Sequence, residues 1–579
     1  MGSYRSHLAL LKSYLAPLKL RMVAMAVPLL AGIGLQLGGP QAVRYFIDTA
    51  QALGELSSLY LAASLFVVVT LAGQGLNALS TYLGRDVAWR ATNRMRSDLL
   101  LHVLRLDMSF HTEHTPGELV ERIDTDVEKL ANFFSKFAVR LLGGMLVAAG
   151  ALALLAVEDL RVGLAMTSFV LVFLTLHTFG QSRTRPHWRR NSKASADLAS
   201  FVGERYPGIK DIQKSGAEPY AIAGFREVVD VWSRTFLRAS LTTVVAWTVS
   251  FAWLRSGNVI AIGVAGSLFL AGDISVGTLY LVFHYMRMIV GPMLAISEEV
   301  RDLQQARAAI DRIDGLFDVQ PGIGDGSEPV PGGQLSLEFA DVSFAYLAGR
   351  PVLKNVSFRL EPGRTLGVLG RTGSGKTTLS RLVFRLYDAD EGAVLLGGQD
   401  VGALRLEDLR HRIGMVTQDV QVFNATLREN LTLFDEAIDD ERLVETLGSV
   451  GLARWYESLQ SGLDTLLYPG GEGLSTGEAQ LLAFTRVFLR DPGLVILDEA
   501  SSRLDPGTVR LLEDAVTRLL EGRTAVIIAH RLSTLARVDD ILIVEEGAVV
   551  EYGPQRELAT APDSRYGALL RTGMEEVLA

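Results

Sequence analysis

Gly370-Arg371-Thr372-Gly373-Ser374-Gly375-Lys376-Thr377 follows the apolar run Thr365-Leu366-Gly367-Val368-Leu369 and precedes Thr378-Leu379-Ser380-Arg381-Leu382-Val383. The octapeptide fits G-x-x-x-x-G-K-[ST], and its flanks read as a buried strand and a helix start, the setting that the motif requires. Glycines in such a loop let successive backbone N–H groups approach the phosphates of a nucleotide. The Lys376 ammonium can reach the outer phosphates, and the Thr377 hydroxyl is a hard oxygen ligand for Mg²⁺. An α/β nucleotide-binding domain is therefore expected around residue 370.

The chain upstream of the loop is of a different kind. Apolar stretches long enough to cross roughly 30 Å of hydrocarbon lie near Met22 to Tyr45, Leu59 to Leu83, Ala138 to Val157, Val162 to Phe179, Leu241 to Ala271 and Leu279 to Ala295. The bulk numbers carry the same duality. Hydrophobic residues make up 49% of the 579, high for a soluble protein, while 21% are charged, high for a pure membrane bundle. A membrane part joined to a soluble part resolves the conflict. A net charge of −9 argues against a nucleic-acid partner, since a duplex binder needs a concentrated basic face. The absence of cysteine excludes disulfides, thiolate metal sites and a cysteine nucleophile. No short apolar core with a small-residue cleavage site opens the chain, so no removed signal peptide is expected.

The connections alternate in character. Arg85, Arg90, Arg94, Arg96, Arg105, Arg122, Lys129 and Lys136 fall between the second and third spans. Arg183, Arg185, Arg189, Arg190, Lys193, Lys210, Lys214, Arg226 and Arg234 fall between the fourth and fifth, whereas the other connections are short and almost free of Lys and Arg. The bias of basic residues towards the cytoplasmic side places both termini, the two long loops and the nucleotide domain in the cytoplasm of a plasma (inner) membrane protein. Charged segments of helical periodicity suggest that the spans continue as helices beyond the bilayer. Tyr4 to Leu20 interleaves leucines with Arg5, Lys12 and Lys19 around Pro17, which reads as an interfacial elbow helix or as a frayed tail. Pro and Gly crowd Val319 to Gly333, the composition of a linker. The expected domains are an elbow at 1–20, a membrane domain at 21–318, a linker at 319–334 and an ATPase domain at 335–579.

Further candidates lie beyond the linker. Leu494-Val495-Ile496-Leu497-Asp498-Glu499 is a buried strand ending in two carboxylates, delivered to the sheet edge where open α/β folds bind ligands. Asp498 would help to hold Mg²⁺ and Glu499 would polarise the attacking water; an acidic pair after a strand is also a common helix N-cap. His530, just after the strand Ala525 to Ile528, can contact a γ-phosphate or serve structurally. Gln418 in Met415-Val416-Thr417-Gln418 offers an amide oxygen to Mg²⁺ or to the water. Tyr346 can stack on adenine or pack as an edge aromatic.

With these residues placed, the chain resembles an exporter-type half-transporter of the ATP-binding cassette superfamily. The resemblance runs in order through Tyr346, the phosphate loop with Thr378 behind it, Gln418, the signature-like Leu474-Ser475-Thr476-Gly477-Glu478, Asp498 and Glu499, Ser502-Arg503-Leu504-Asp505 and His530. In the membrane half, Phe110 to Asp126 and Glu204 to Gly216 resemble the two coupling loops. The resemblance implies a six-helix transmembrane domain followed by a P-loop ATPase, with ATP and Mg²⁺ as cofactors. It implies that Glu499, His530 and Gln418 act in catalysis and that Thr377, Gln418 and Asp498 surround the metal. Two cassettes close head to tail in this family, so Ser475, Thr476, Gly477 and Glu478, with Asp505, would face nucleotide on a second half-transporter.

The chain departs from the usual Leu-Ser-Gly-Gly-Gln signature at Thr476 and Glu478, and Tyr468-Pro469-Gly470-Gly471-Glu472 replaces a charged segment of the family. A carboxylate at 478 stands near anionic phosphates, which costs energy unless it turns away or is paired. An intact Walker side with an altered signature is the expected half of a heterodimer; a homodimer with a tolerated variant is the alternative. Gln36, Gln74, His177, Arg255, Asn258, His284 and Arg287 lie inside the spans. A mid-bilayer charge costs roughly 2.5 to 3.5 kcal/mol on insertion scales, so such residues usually face a cavity or a partner. Arg255, His284 and Arg287 suggest a cavity for anionic or amphipathic molecules; pairing with carboxylates or snorkelling is the alternative. The expected function is ATP-driven export of an amphipathic or hydrophobic drug, lipid or peptide. A membrane-anchored ATPase that gates a partner, or an importer on an exporter fold, are the other readings.

Overall fold

The computed structural model describes residues 12–347, 349–417, 420–435, 437–468, 474–498, 506–529, 535 and 538–572. Its contacts divide the chain into two compact units, Met1–Leu104 with Pro116–Val319 and Arg105–Thr115 with Gln320–Ala579.

The first unit is helical. Apolar runs without a backbone partner in hydrocarbon must satisfy their N–H and C=O groups internally, which a helix does within its own segment. Among the described residues, six helices are long and apolar enough to cross a membrane: Lys12–Gln51, Leu56–Arg105, Pro116–Glu158, Leu160–Arg205, Glu218–Leu270 and the Val276–Ala295 part of a helix that runs to Phe317. The fourth and fifth contain 46 and 53 residues, or about 69 and 80 Å at 1.5 Å per residue, so they extend well past the hydrocarbon as their charged continuations suggested. The elbow segment is helical from Lys12, tightens into a 3₁₀ turn at Ala16–Leu18 around Pro17, and continues into Lys19–Gln51. The third helix contains two π-helical turns, Glu121–Asp126 and Phe137–Leu142.

Helix starts follow ordinary capping chemistry. Asp159 accepts from the amides of Arg161 and Val162, and Ser275 from that of Thr278, where short connections turn the chain into the fourth and sixth helices. Phe169, Phe173, Leu254, Tyr285 and Met286 form much of the buried packing. Close approach is purchased with small residues: a Cβ on Gly163 would lie 2.5 Å from the Ala156 Cα, so these two helices touch backbone to backbone.

The second unit is an α/β domain. Its strands are β1 (Leu337–Phe344), β2 (Leu353–Leu360), β3 (Thr365–Leu369), β4 (Glu391–Leu396), β5 (Gln399–Asp400), β6 (Ile413–Val416), β7 (Ala425–Thr426), β8 (Leu466–Leu467), β9 (Leu494–Asp498), β10 (Thr524–Ile528), β11 (Asp540–Glu545) and β12 (Ala548–Pro554). The six-stranded sheet runs β12-β11-β3-β10-β9-β6, parallel except for β12. β3, β9 and β10 are buried almost throughout, as continuous β-branched and leucine runs require when both sheet faces are covered. One apolar cluster, with Leu481, Phe484 and Leu512, covers one side, and a second, with Phe339, Leu379 and Leu382, joins the other to the antiparallel sheet β2-β1-β4-β5.

Candidate functional site

Parallel pairing aligns the strand ends that carry the site. Ile528 of β10 pairs with Val368 of β3 on one side and Asp498 of β9 on the other, and Val416 of β6 pairs with Leu497. The carboxyl end of β3, from which the phosphate loop leaves, therefore lies level with Asp498 and Thr417. Gln418, Glu499, Asp505 and His530 lie outside the described residues, as does most of Tyr468 to Glu472.

The phosphate loop is built by its glycines. Gly370 has φ +153°, and a Cβ there would come within 2.2 Å of the Val544 carbonyl oxygen of β11. Gly375 is the N-cap of the helix Lys376–Val383 with φ +107°, a left-handed conformation that L side chains rarely adopt. The Lys376 ammonium donates to the carbonyl oxygens of Gly370 and Arg371, the latter at 3.0 Å, which draws the side chain across the loop. The Ser374 Oγ is buried without a hydrogen-bond partner among the described residues, while Thr372, Gly373 and Thr377 are exposed at the mouth. An orphan hydroxyl costs free energy where it stands, so this cradle fits an oxyanion such as a phosphate. The Thr377 hydroxyl and the Asp498 carboxylate are oxygen donors of the type that Mg²⁺ takes.

Tyr346 is brought to the same place. Its hydroxyl lies 3.1 Å from the Thr378 Oγ1 and accepts from Arg381 Nη1 at 2.9 Å. Phe344 and Tyr387 meet its ring edge to face at 4.9 and 5.1 Å. Arg381 was not singled out in the sequence, because a bond across 35 positions leaves no local pattern.

The signature-like segment is separate from these groups. Among the described residues no hydrogen bond joins Ser475, Thr476, Gly477 or Glu478 to the phosphate loop. Ser475 caps the helix Thr476–Arg490. Its Oγ accepts from the Glu478 amide at 3.2 Å and donates to Glu478 Oε2 at 2.8 Å, and that same oxygen takes the Ser475 amide at 2.7 Å. This reciprocal capping box pairs the carboxylate whose charge was expected to need a partner, and it occupies the serine hydroxyl.

A cavity of about 300 Å³ adjoins the end of β6, lined by Phe384, Met415, Thr417, Val420, Phe423 and Arg486 among others. Arg486 donates to the carbonyls of Asn430 and Gln421. Burial, with the charge of Arg490, lowers its pKa, yet a guanidinium stays protonated. Inside the spans, His177 stacks on Phe173 at 5.6 Å, Tyr280 and His284 share a hydrogen bond of 3.2 Å, and Arg255 lies over the Phe251 ring at 4.8 Å.

Comparison with known proteins bears on the whole chain. Residues 22–293 match the family "ABC transporter transmembrane region" and residues 353–502 the family "ABC transporter". A "Fatty acid ABC transporter ATP-binding/permease protein" of Mycobacterium tuberculosis is 31% identical over 89% of this chain and 80% of its own length. An "Uncharacterized ABC transporter ATP-binding protein" of Bacillus subtilis is 29% identical over 94% and 91%. The solved structure of a bacterial Atm1-family ABC exporter superposes with a TM-score of 0.79 at 22% identity, covering 96% of this chain and 99% of that one. Six helices able to cross a membrane, fused to an ATPase with this phosphate loop, define the ATP-binding cassette transporters, and this chain belongs to that family. Within the family it is an exporter-type half-transporter, an ATPase coupled to transport that works as part of a dimer.

Proposed function

We propose that the chain is one subunit of a heterodimeric exporter that moves an amphipathic or hydrophobic molecule out across the plasma membrane. The ATPase domain and both termini lie in the cytoplasm in this reading, on the strength of the two long Arg- and Lys-rich connections. Relatives named for fatty acids, lipid A-core and multidrug export support the substrate class.

The observation that carries the heterodimer is the carboxylate that Glu478 holds against the Ser475 hydroxyl and amide at the signature, where the usual family residue is an uncharged glutamine. The Ser475 hydroxyl donates its one proton to Glu478, so gripping a γ-phosphate there would break that hydrogen bond and bring a carboxylate towards phosphate charge. The phosphate-loop side has no such conflict. Gly370 to Thr378 would cradle the nucleotide phosphates, Lys376 would neutralise charge on the transferred group, Thr377, Gln418 and Asp498 would hold Mg²⁺, and Tyr346 would carry the adenine. Mg²⁺, when held by these groups, would supply charge neutralisation for the transferred group. Glu499 orients and polarises the attacking water, and His530 reads the γ-phosphate. This chain then supplies the hydrolytic glutamate to one composite site and a weak signature, with Asp505, to the other.

The chain in nanodiscs is expected to hydrolyse ATP weakly by itself and robustly with a second half-transporter, and Glu499→Gln should abolish the robust activity. Robust ATPase activity from the chain alone that disappears in Glu499→Gln would instead establish a homodimer. ATP-dependent accumulation of substrate in inside-out vesicles distinguishes export from a gating ATPase, which would hydrolyse without accumulation.

A further inference from the structure

Tyr346 stands two residues past the end of β1, at the start of an exposed turn in which the Arg350 amide donates to the Leu347 carbonyl at 3.1 Å. Its side chain belongs to a residue that is 38% accessible. Phe344 and Tyr387 therefore restrain only part of the ring, and the phenol end has to be fixed by other groups. The helix Lys376–Val383 supplies them. Thr378 and Arg381 are three positions apart, which places them on one face of that helix. Both reach the Tyr346 hydroxyl, Thr378 Oγ1 at 3.1 Å and Arg381 Nη1 at 2.9 Å.

The direction of these bonds follows from the donors. A guanidinium can only donate, so the phenol oxygen accepts from Arg381 and keeps its own proton available to Thr378 Oγ1. The central carbon of the guanidinium also lies 5.6 Å from the ring centroid, within reach of a cation–π attraction. Arg381 is exposed, and among the described residues it forms no ion pair that would draw it away from the phenol. The same short helix opens at Gly375 and carries Lys376 at its first position. Phosphate loop and aromatic ring are thus tied to one rigid element. We propose that Arg381 is a positioning residue for nucleotide binding: through the Tyr346 hydroxyl it fixes the plane of the ring on which adenine stacks and holds that ring in register with the phosphate loop. This rests on the reading of Tyr346 as the adenine platform and adds the group that aims it. A ring ordered before ATP arrives loses less freedom on binding. Arg381 touches no reacting atom, so its removal should act on KM and leave the chemical step alone.

The test uses the full chain with its dimer partner in nanodiscs. KM and kcat for ATP are measured beside the inhibition constant of inorganic tripolyphosphate, which offers phosphates without a base. Arg381→Met keeps the aliphatic stem and removes the donors; KM should rise about five-fold, the size of one net hydrogen bond, with kcat within about two-fold. Tripolyphosphate inhibition should not move, and Arg381→Lys, which keeps a donor, should recover most of the loss. Tyr346→Phe should reproduce the rise in KM, and adding Arg381→Met to it should change nothing further, since the hydroxyl is already gone. A further loss in the Tyr346→Phe background, or weaker tripolyphosphate inhibition, overturns the proposal by making Arg381 a direct contact of the nucleotide. An unchanged KM in Arg381→Met overturns it as well. Tyr346→Ala tests the underlying reading separately: loss of a stacked base should raise KM on the order of ten-fold with tripolyphosphate inhibition intact. That result upholds the platform whatever Arg381 does, and its absence removes platform and proposal together.

Discussion

At the scale of single residues, Glu478 and Gly375 carry the sharpest consequences. Glutamine at the third helical position closes a capping box as glutamate does, so Glu478→Gln should leave thermal stability within about 0.5 kcal/mol. It removes the charge that opposes a γ-phosphate, so ATPase activity of the assembled dimer should rise severalfold; an unchanged rate would place the asymmetry elsewhere. Glu478→Ala opens the box and should cost about 1 kcal/mol, read by thermal melting. Gly375→Ala forces a Cβ into φ +107° and within 2.7 Å of Leu353 Cδ2. Leucine can move, but the backbone strain of about 1 to 3 kcal/mol remains. Binding of a fluorescent ATP analogue should weaken at least ten-fold, with the fold retained by circular dichroism. The loop itself was legible at once, because its chemistry depends on residues in one octapeptide. The bonds from Thr378 and Arg381 to the Tyr346 hydroxyl were not, since both partners arrive from a distant turn of the chain.

At the scale of elements, apolar length and periodicity announce the helices, and the strand ends announce the site edge, but charges that stitch helices together stay hidden. Asp126 ends the first π-helical turn and is fully buried. Arg312 of the sixth helix holds it with two hydrogen bonds of 2.6 Å, and Lys129 adds one of 2.8 Å. In the sequence Asp126 is merely part of a charged loop, 186 positions from Arg312. Removing one partner of a buried pair commonly costs 3 to 5 kcal/mol; the partial exposure of Arg312, whose side chain is 44% accessible, argues for about 2 kcal/mol in Asp126→Asn. The melting temperature in nanodiscs should fall clearly. A double variant Asp126→Asn/Arg312→Met should recover part of the loss, because the stranded guanidinium is gone; a fully additive double variant would mean that the pair does not couple.

At the scale of the molecule, the Pro- and Gly-rich stretch after Val319 is more than the flexible spacer that its composition suggests. Asp107 occupies the N-cap position of the short helix Met108–Glu113, where an aspartate would ordinarily cap its own helix, yet its side chain makes no such bond. Its carboxylate instead accepts from the amides of Gly322 and Ile323. Three residues on, the Asp325 carboxylate accepts from the Leu406 amide at 2.8 Å, and the Ser327 and Glu328 amides donate to the Ala403 carbonyl at 3.0 Å. The linker is thereby fastened on one side to the loop between the second and third spans and on the other to the α/β domain, which is why Arg105–Thr115 belongs to the same compact unit as Gln320–Ala579. Composition carries no sign of these anchors, since a backbone amide leaves no trace in sequence. Asp107→Ala cuts the first anchor and touches none of the nucleotide groups. ATPase activity should stay in the wild-type range while substrate accumulated per ATP hydrolysed in vesicles falls severalfold. Parallel loss of both activities would mean that Asp107 supports folding alone, and retention of both would mean that the linker transmits nothing; only their separation fits an anchor through which nucleotide-driven motion reaches the spans.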